Sequence, residues 1–224
     1  MTKRDTTILV ITFVAMLALL IGVAVSLLSG PPDPPIIAAV KDGDLDAVKE
    51  IVQQQGDAIY QTGPIGWMPI QWAILEGNVE MVTYFFDQGF PVDGIGATDG
   101  RAGANSPLCT ALTRDPKVTP AVFEAILERG ADPNVLFGKE PDTYRALELC
   151  VQNNMPDKMA VLMRYGADPY LADSEGKSAM DAVQYLLSLA RDPDFRLPDA
   201  PYGPEERKRS IQEYEAMVAI MKGE

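Results

Sequence analysis

Two cysteines and several clustered acids are the residues of this 224-residue chain whose types could do chemistry. Nucleophilic catalysis by serine or cysteine needs a base beside the nucleophile, most often histidine. The chain has no histidine, so Ser-His-Asp and Cys-His arrangements are excluded. A structural zinc takes four cysteine or histidine ligands, and Cys109 and Cys150 supply only two. Asp42/Asp44 and Asp192/Asp194 stand at spacing i, i+2 beside Gly or Pro, where aspartate forms turns. Gly94, Gly96, Gly100 and Gly103 lie close together. A phosphate cradle would need a strand before them and a Gly-Lys-Ser/Thr helix start after them, and neither is present. No enzyme activity, cofactor or metal is expected.

Composition points the same way. The chain is 47% apolar and 23% charged, as ordinary globular domains are. Net charge is −13, with the acids nearly all downstream of residue 30. Nucleic acid binding needs a basic footprint, so that class is excluded. The acidic balance serves solubility, and it also suits a partner with a basic surface.

The elements that position these residues repeat along the chain. Gly66 to Asp93 predicts a helix–turn–helix unit: Pro69 opens the first helix, Gly77 ends it, and Val79, Val82, Phe85 and Phe86 stripe the second. Gly130-Ala131-Asp132-Pro133-Asn134 and Gly166-Ala167-Asp168-Pro169 are one punctuation mark, 36 residues apart, with a weaker copy at Gly89-Phe90-Pro91-Val92-Asp93. Ser106-Pro107-Leu108-Cys109-Thr110-Ala111 repeats the opening of the unit. A period of about 33 residues with T-P-L-H-x-A openings and G-A-D endings is the ankyrin pattern. From Pro34 to Leu189 the chain resembles ankyrin repeat proteins. The resemblance implies an all-α solenoid of about five stacked helix pairs with protruding fingers. The family's Thr and His are replaced by Met68 and Gln71, Ser106 and Cys109, Arg145 and Glu148, Ser178 and Asp181. The histidine tie between neighbouring turns is thus lost throughout, and modest stability is expected.

The N-terminal segment carries a membrane signal. Lys3 and Arg4 precede 21 uncharged residues, Ile8 to Leu28. A helix of that length spans about 30 Å, one hydrocarbon core. The positive residues before the span predict a cytoplasmic N-terminus (1–7), a transmembrane signal anchor (8–28) and an exported remainder. Ala24-Val25-Ser26 is an alternative cleavage site. A Pro-rich linker (29–35) follows, then the repeat domain (36–224), whose first helix pair reads as a cap. Asp93 to Asn105 reads as a long finger, either a flexible insertion or a loop that grips a partner. A closing helix (204–222) carries the stripe Ile211, Tyr214, Val218 and Met221, with Arg207, Lys208 and Arg209 on its wet face.

Neighbouring repeats stand about 10 Å apart, beyond the roughly 7 Å Cα separation of a disulfide. Cys109 and Cys150 therefore read first as two small buried thiols, with a disulfide in the oxidising exported compartment as the alternative. In ankyrin proteins the concave face of fingers and first-helix ends binds protein partners. Carried over by motif, those positions are Ile65, Trp67, Leu75, Glu76, Asn105, Thr113 and Arg114, then Asp142, Tyr144, Gln152, Asn153, Glu175 and Lys177. Phe137 joins them as an exposed finger-tip aromatic, whereas Trp72 is expected in the core. The layout resembles bacterial membrane-anchored ankyrin proteins of the periplasm, at the inner membrane. That resemblance implies a stoichiometric binder: an immunity protein that inhibits a toxic effector, or a tethered adaptor that supports another periplasmic protein such as a catalase.

Overall fold

A computed structural model describes residues 32–98, 101–103, 105–139, 142–173, 175–192 and 204–224. The apolar span 8–28 lies outside the described residues. Among those described, no helix is long and apolar enough to cross a membrane.

Ten α-helices are described, and they pair in chain order. The first pair is α1 (Pro35–Lys41) and α2 (Leu45–Gln54); the second is α3 (Pro69–Leu75) and α4 (Val79–Asp87). The third is α5 (Pro107–Ala111) and α6 (Pro120–Glu128), and the fourth α7 (Ala146–Gln152) and α8 (Pro156–Arg164). The chain closes with α9 (Ala179–Arg191) and α10 (Pro204–Lys222). Proline occupies the start of α1, α3, α5, α6 and α8, where its missing N–H had no helical partner to lose. Asp44 and Asn78 cap the second helices of the first two pairs by accepting the N–H groups of Ala47 and Met81 at 2.9 and 3.0 Å.

The helices of the four pairs are too short to persist alone in water, so packing must hold them. First helices stack α1 on α3 on α5, and α7 on α9; second helices stack α4 on α6 on α8 on α10. The predicted stripes supply the core. Ile36, Ile37, Val40, Val48, Ile70, Ile74, Val82, Phe85, Val122, Ile126, Met159 and Leu162 are all fully buried. Each such side chain contributes about 1.5–3 kcal/mol. In α10 the deepest residues are Met217 and Met221, while Ile211, Tyr214 and Val218 are only half-buried.

Hydrogen bonds from one turn to the next complete the stack. Asp93 accepts the N–H of Asp132 at 3.0 Å, and Asn134 bridges to Gly166 O at 3.0 Å and Asp168 N at 2.7 Å. On the second helices, Asp87 pairs with Arg129 at 2.5 Å and Glu124 with Arg164. In the fourth pair Asn154 has φ 50°, the left-handed turn that Gly43 and Gly77 supply earlier (φ 74° and 72°). Asparagine tolerates that region better than other side chains, so the pair keeps its turn without a glycine.

Three features depart from a purely helical array. A 3₁₀ turn at Gly56–Tyr60 follows α2 and buries Ala58 and Ile59. Strands β1 (Leu136–Lys139) and β2 (Asp142–Arg145) form an antiparallel hairpin with Phe137 opposite Tyr144. The fold is mostly helical rather than all-α, because this finger satisfies its backbone as a ladder. The described part of the long finger after Asp93 is also hydrogen-bonded. Ala102 N donates to Leu136 O at 2.9 Å, Gly103 N to Asp93 O at 2.8 Å, and the Arg101 guanidinium to Gly138 O at 3.2 Å.

Candidate functional site

The replaced histidine position is where the local chemistry of each repeat is decided. Gln71 accepts the N–H of Met68 at 3.1 Å, Glu148 that of Arg145 at 2.9 Å, and Asp181 that of Ser178 at 3.0 Å. An amide or carboxylate oxygen three residues into a helix thus closes the first turn backwards. Gln71 also donates to Thr110 Oγ1 of the next repeat at 3.3 Å, so one tie between turns survives with glutamine in it. Cys109 cannot accept in this way, and there Ser106 Oγ takes the N–H of Cys109 at 3.4 Å. The Ser178 hydroxyl and N–H hold the Asp181 carboxyl below the usual carboxylate range.

Both cysteines are free thiols. Cys150 is fully buried, and desolvation pushes its thiol up to about 12. Cys109 is half-buried with Sγ 4.0 Å from the Tyr144 hydroxyl. Burial raises its pKa too, so neither is an activated nucleophile.

The expected site residues fall into three groups. On the second repeat Ile65 is 62% exposed, whereas Trp67 and Leu75 are half-buried. Gln152 is exposed on the fourth and shares a cavity of about 560 Å³ with Lys177, Asp181, Ala182, Tyr185 and Leu186. Asn105 lines another, of about 410 Å³, with Gln71, Ser106, Cys109, Thr110 and Phe137 among its walls. The second group is occupied within the fold. Glu76 pairs with Lys117 at 2.6 Å, Glu175 with Lys177 at 2.7 Å, and the Arg114 guanidinium donates to the Asn153 carbonyl. Thr113 gives its carbonyl to Lys158.

The third group is corrected. Phe137 is only 2% exposed, because the hairpin turns it inward onto Tyr144 with ring centroids 5.8 Å apart. It is core, not a finger-tip anchor. Tyr144 is half-buried between that ring and Cys109, so its own neighbours take most of its surface. Trp72 is only half-buried: it tilts against Trp67 at 5.3 Å and carries Lys41 Nζ 3.7 Å from its ring centroid. The Asp142 side chain lies outside the described residues.

Lys158 and Tyr185 were not foreseen. Lys158 is 7% exposed and donates to the carbonyls of Ala111, at 2.7 Å, and Thr113. A lysine in a helix that otherwise reads as polar on one face gives no sign of burial. Tyr185 is 64% exposed on α9, off the stripe of Met180, Val183 and Leu187. An aromatic on the polar side of a striped helix was the available signal.

Among the described residues no group of three Cys, Asp or Glu side chains is placed to hold a metal ion. What the arrangement offers is a face of fingers and first helices with aromatic and aliphatic side chains between charged ones.

Comparison with known proteins agrees with this architecture. Residues 36–137 match the family described as ankyrin repeats (3 copies). A Treponema pallidum (strain Nichols) protein described as ankyrin repeat-containing is 33% identical over 158 residues, 70% of this chain and 48% of that protein. An ankyrin repeat protein of Rickettsia felis is 23% identical over 146 residues, 65% of this chain and 47% of that protein. The chain therefore spans about half the length of these two bacterial relatives. In Dasypus novemcinctus, the ankyrin repeat, SAM and basic leucine zipper domain-containing protein 1 is 29% identical over 132 residues, covering 58% of this chain and 26% of that protein. Ankyrin repeats imply a protein-binding domain. Stacked helix pairs, recurring Gly-Asp turns and the family match together show that this chain carries ankyrin repeats.

Proposed function

We propose that the repeats bind one protein partner with a basic surface, across the face built from fingers and first helices. The observation that carries this reading is the exposure of Ile65 and Tyr185, with Trp67 and Leu75 half-buried, on a chain of net charge −13. Aromatic and aliphatic anchors supply affinity, and the acidic field speeds encounter with a basic surface. Residues 8–28 hold the repeats on the exported side of the inner membrane, with the N-terminus in the cytoplasm.

In its most concrete form the chain is an immunity protein: it covers the basic active surface of a toxic effector, one to one. The apolar span favours a second reading, an adaptor that keeps an envelope protein at the membrane. Crosslinking in native cells, followed by capture of the full chain, separates the two. A single basic toxin, recovered one to one and lost on Trp67→Ala, supports the inhibitor. A large envelope complex, or an enzyme whose activity the chain leaves unchanged, removes the inhibitor and leaves the adaptor.

A further inference from the structure

Trp67 and Trp72 are the only tryptophans of the chain, and they meet at 5.3 Å with their planes tilted by 56°. Lys41, at the end of α1, places its ammonium 3.7 Å from the Trp72 ring centroid. The same ammonium pairs with Asp33 at 2.6 Å. The Trp72 indole and the Asp33 carboxylate thus hold one cation, the chain's own, and Trp67 packs against Trp72. The Lys41 and Asp33 side chains keep 33% and 27% of their surface exposed, so the arrangement opens to solvent. The indole N–H of Trp72 is buried without a hydrogen-bond acceptor. Buried donors are normally satisfied in a finished interior. Exposed Ile65 and half-buried Leu75 adjoin the pair in sequence.

From this geometry we infer that the Trp67–Trp72–Asp33 site receives an arginine side chain of the protein partner, which displaces Lys41. The inference rests on the reading of a basic partner and names the side chain that the face selects. The exchange is favourable for stated reasons. A partly exposed ion pair such as Asp33–Lys41 holds little free energy, so releasing Lys41 costs little. Lysine brings a point charge to the site. A guanidinium is planar, stacks on an indole face and meets a carboxylate with two parallel N–H bonds. Its weaker hydration also makes it cheaper to desolvate against tryptophan.

Because the chain has no other tryptophan, its tryptophan emission, excited beyond the tyrosine band, reports this site alone. The test titrates the full chain in detergent micelles with N-acetyl-arginine amide, using N-acetyl-citrulline amide as the uncharged control of the same shape. Lys41→Gln should bind the arginine probe at least fivefold tighter than the wild type, with a saturable change in tryptophan emission. Asp33→Asn in that background should reverse the gain, and citrulline should give no response. Lys41→Arg keeps the cation and the fold, fills the site from within, and should abolish binding. Circular dichroism melting shows whether each variant is folded. No saturable change in folded Lys41→Gln, or an equal response to citrulline, overturns the inference. If Lys41→Gln does not fold, a saturable arginine response in Lys41→Arg equal to that of the wild type overturns it. Arginine binding here without recovery of any basic partner from cells would leave the site and remove the wider functional reading. A basic partner whose capture is indifferent to Asp33→Asn would do the reverse.

Discussion

The ammonium of Lys158 lies 2.7 Å from the carbonyl oxygen of Ala111, in the preceding repeat 47 residues earlier. With the Thr113 carbonyl it closes the C-terminal end of α5, the shortest helix described. Helix ends leave carbonyls without intrahelical partners, and here one buried cation serves two of them. Burial lowers the Lys158 pKa against the raising influence of Cys150 and Asp115, so the cation is retained at a cost. Lys158→Met should destabilise the fold by about 1–3 kcal/mol, since it strands both acceptors. Urea unfolding at neutral pH measures this, and an unchanged midpoint would refute it.

Glu148 presents the opposite balance. Burial holds its carboxyl above the usual range, the nearby Asp173 charge adds to that, and the Arg145 N–H opposes it. One carboxylate oxygen accepts that N–H, while the other is buried without a partner. The sign follows from linkage: a raised native pKa stabilises the fold below the ordinary glutamate value of about 4.3, and the contribution is lost as pH rises through the native pKa. Glu148→Gln should therefore melt about 2–4 °C above wild type at pH 7. That gap should close as pH falls. A gap that is constant with pH would show that the charge is not the cause.

Gly77 and Gly89 both have positive φ, 72° and 90°, but only at Gly77 would a side chain meet its surroundings. A Cβ at Gly77 would stand 2.3 Å from the Lys117 carbonyl oxygen, whereas one at Gly89 meets nothing within 4 Å. Gly89→Ala should cost about 1–2 kcal/mol for the left-handed backbone alone. Gly77→Ala should cost more, because a backbone carbonyl of the next repeat must move. Equal losses in chemical denaturation would refute the close approach.

The two thiols should separate by accessibility. Cys109 should react with an aromatic disulfide reagent in the folded protein, slowly because burial raises its pKa. Cys150 should react only on unfolding. Reducing agent should leave the melting temperature unchanged, and a drop would reveal a disulfide.

Phe137 and Trp67 should fail differently. Phe137→Ala should cost about 3–5 kcal/mol of stability, as a buried ring does. Trp67→Ala should cost less stability but abolish recovery of the crosslinked partner. The converse pattern would exchange core and anchor.

Much of the fold was legible in the residues themselves. Proline at first helical positions, Gly-Asp punctuation and stripes at helical spacing mark each pair, because these signals act within a few residues. Only the stack decided the rest. Phe137 reads as a finger-tip aromatic until Tyr144 stands opposite it across the hairpin. Arg114 and Glu76 read as free site charges until Asn153 O and Lys117 meet them from the next repeat, 39 and 41 residues away. The burial of Lys158 depends on carbonyls 45 and 47 residues earlier. Residue types and their spacing carry the repeat family, the helix pairs and the acidic charge. Tertiary structure alone decided which polar groups satisfy each other and which side chains stay open, because contacts one repeat apart have no local pattern along the chain.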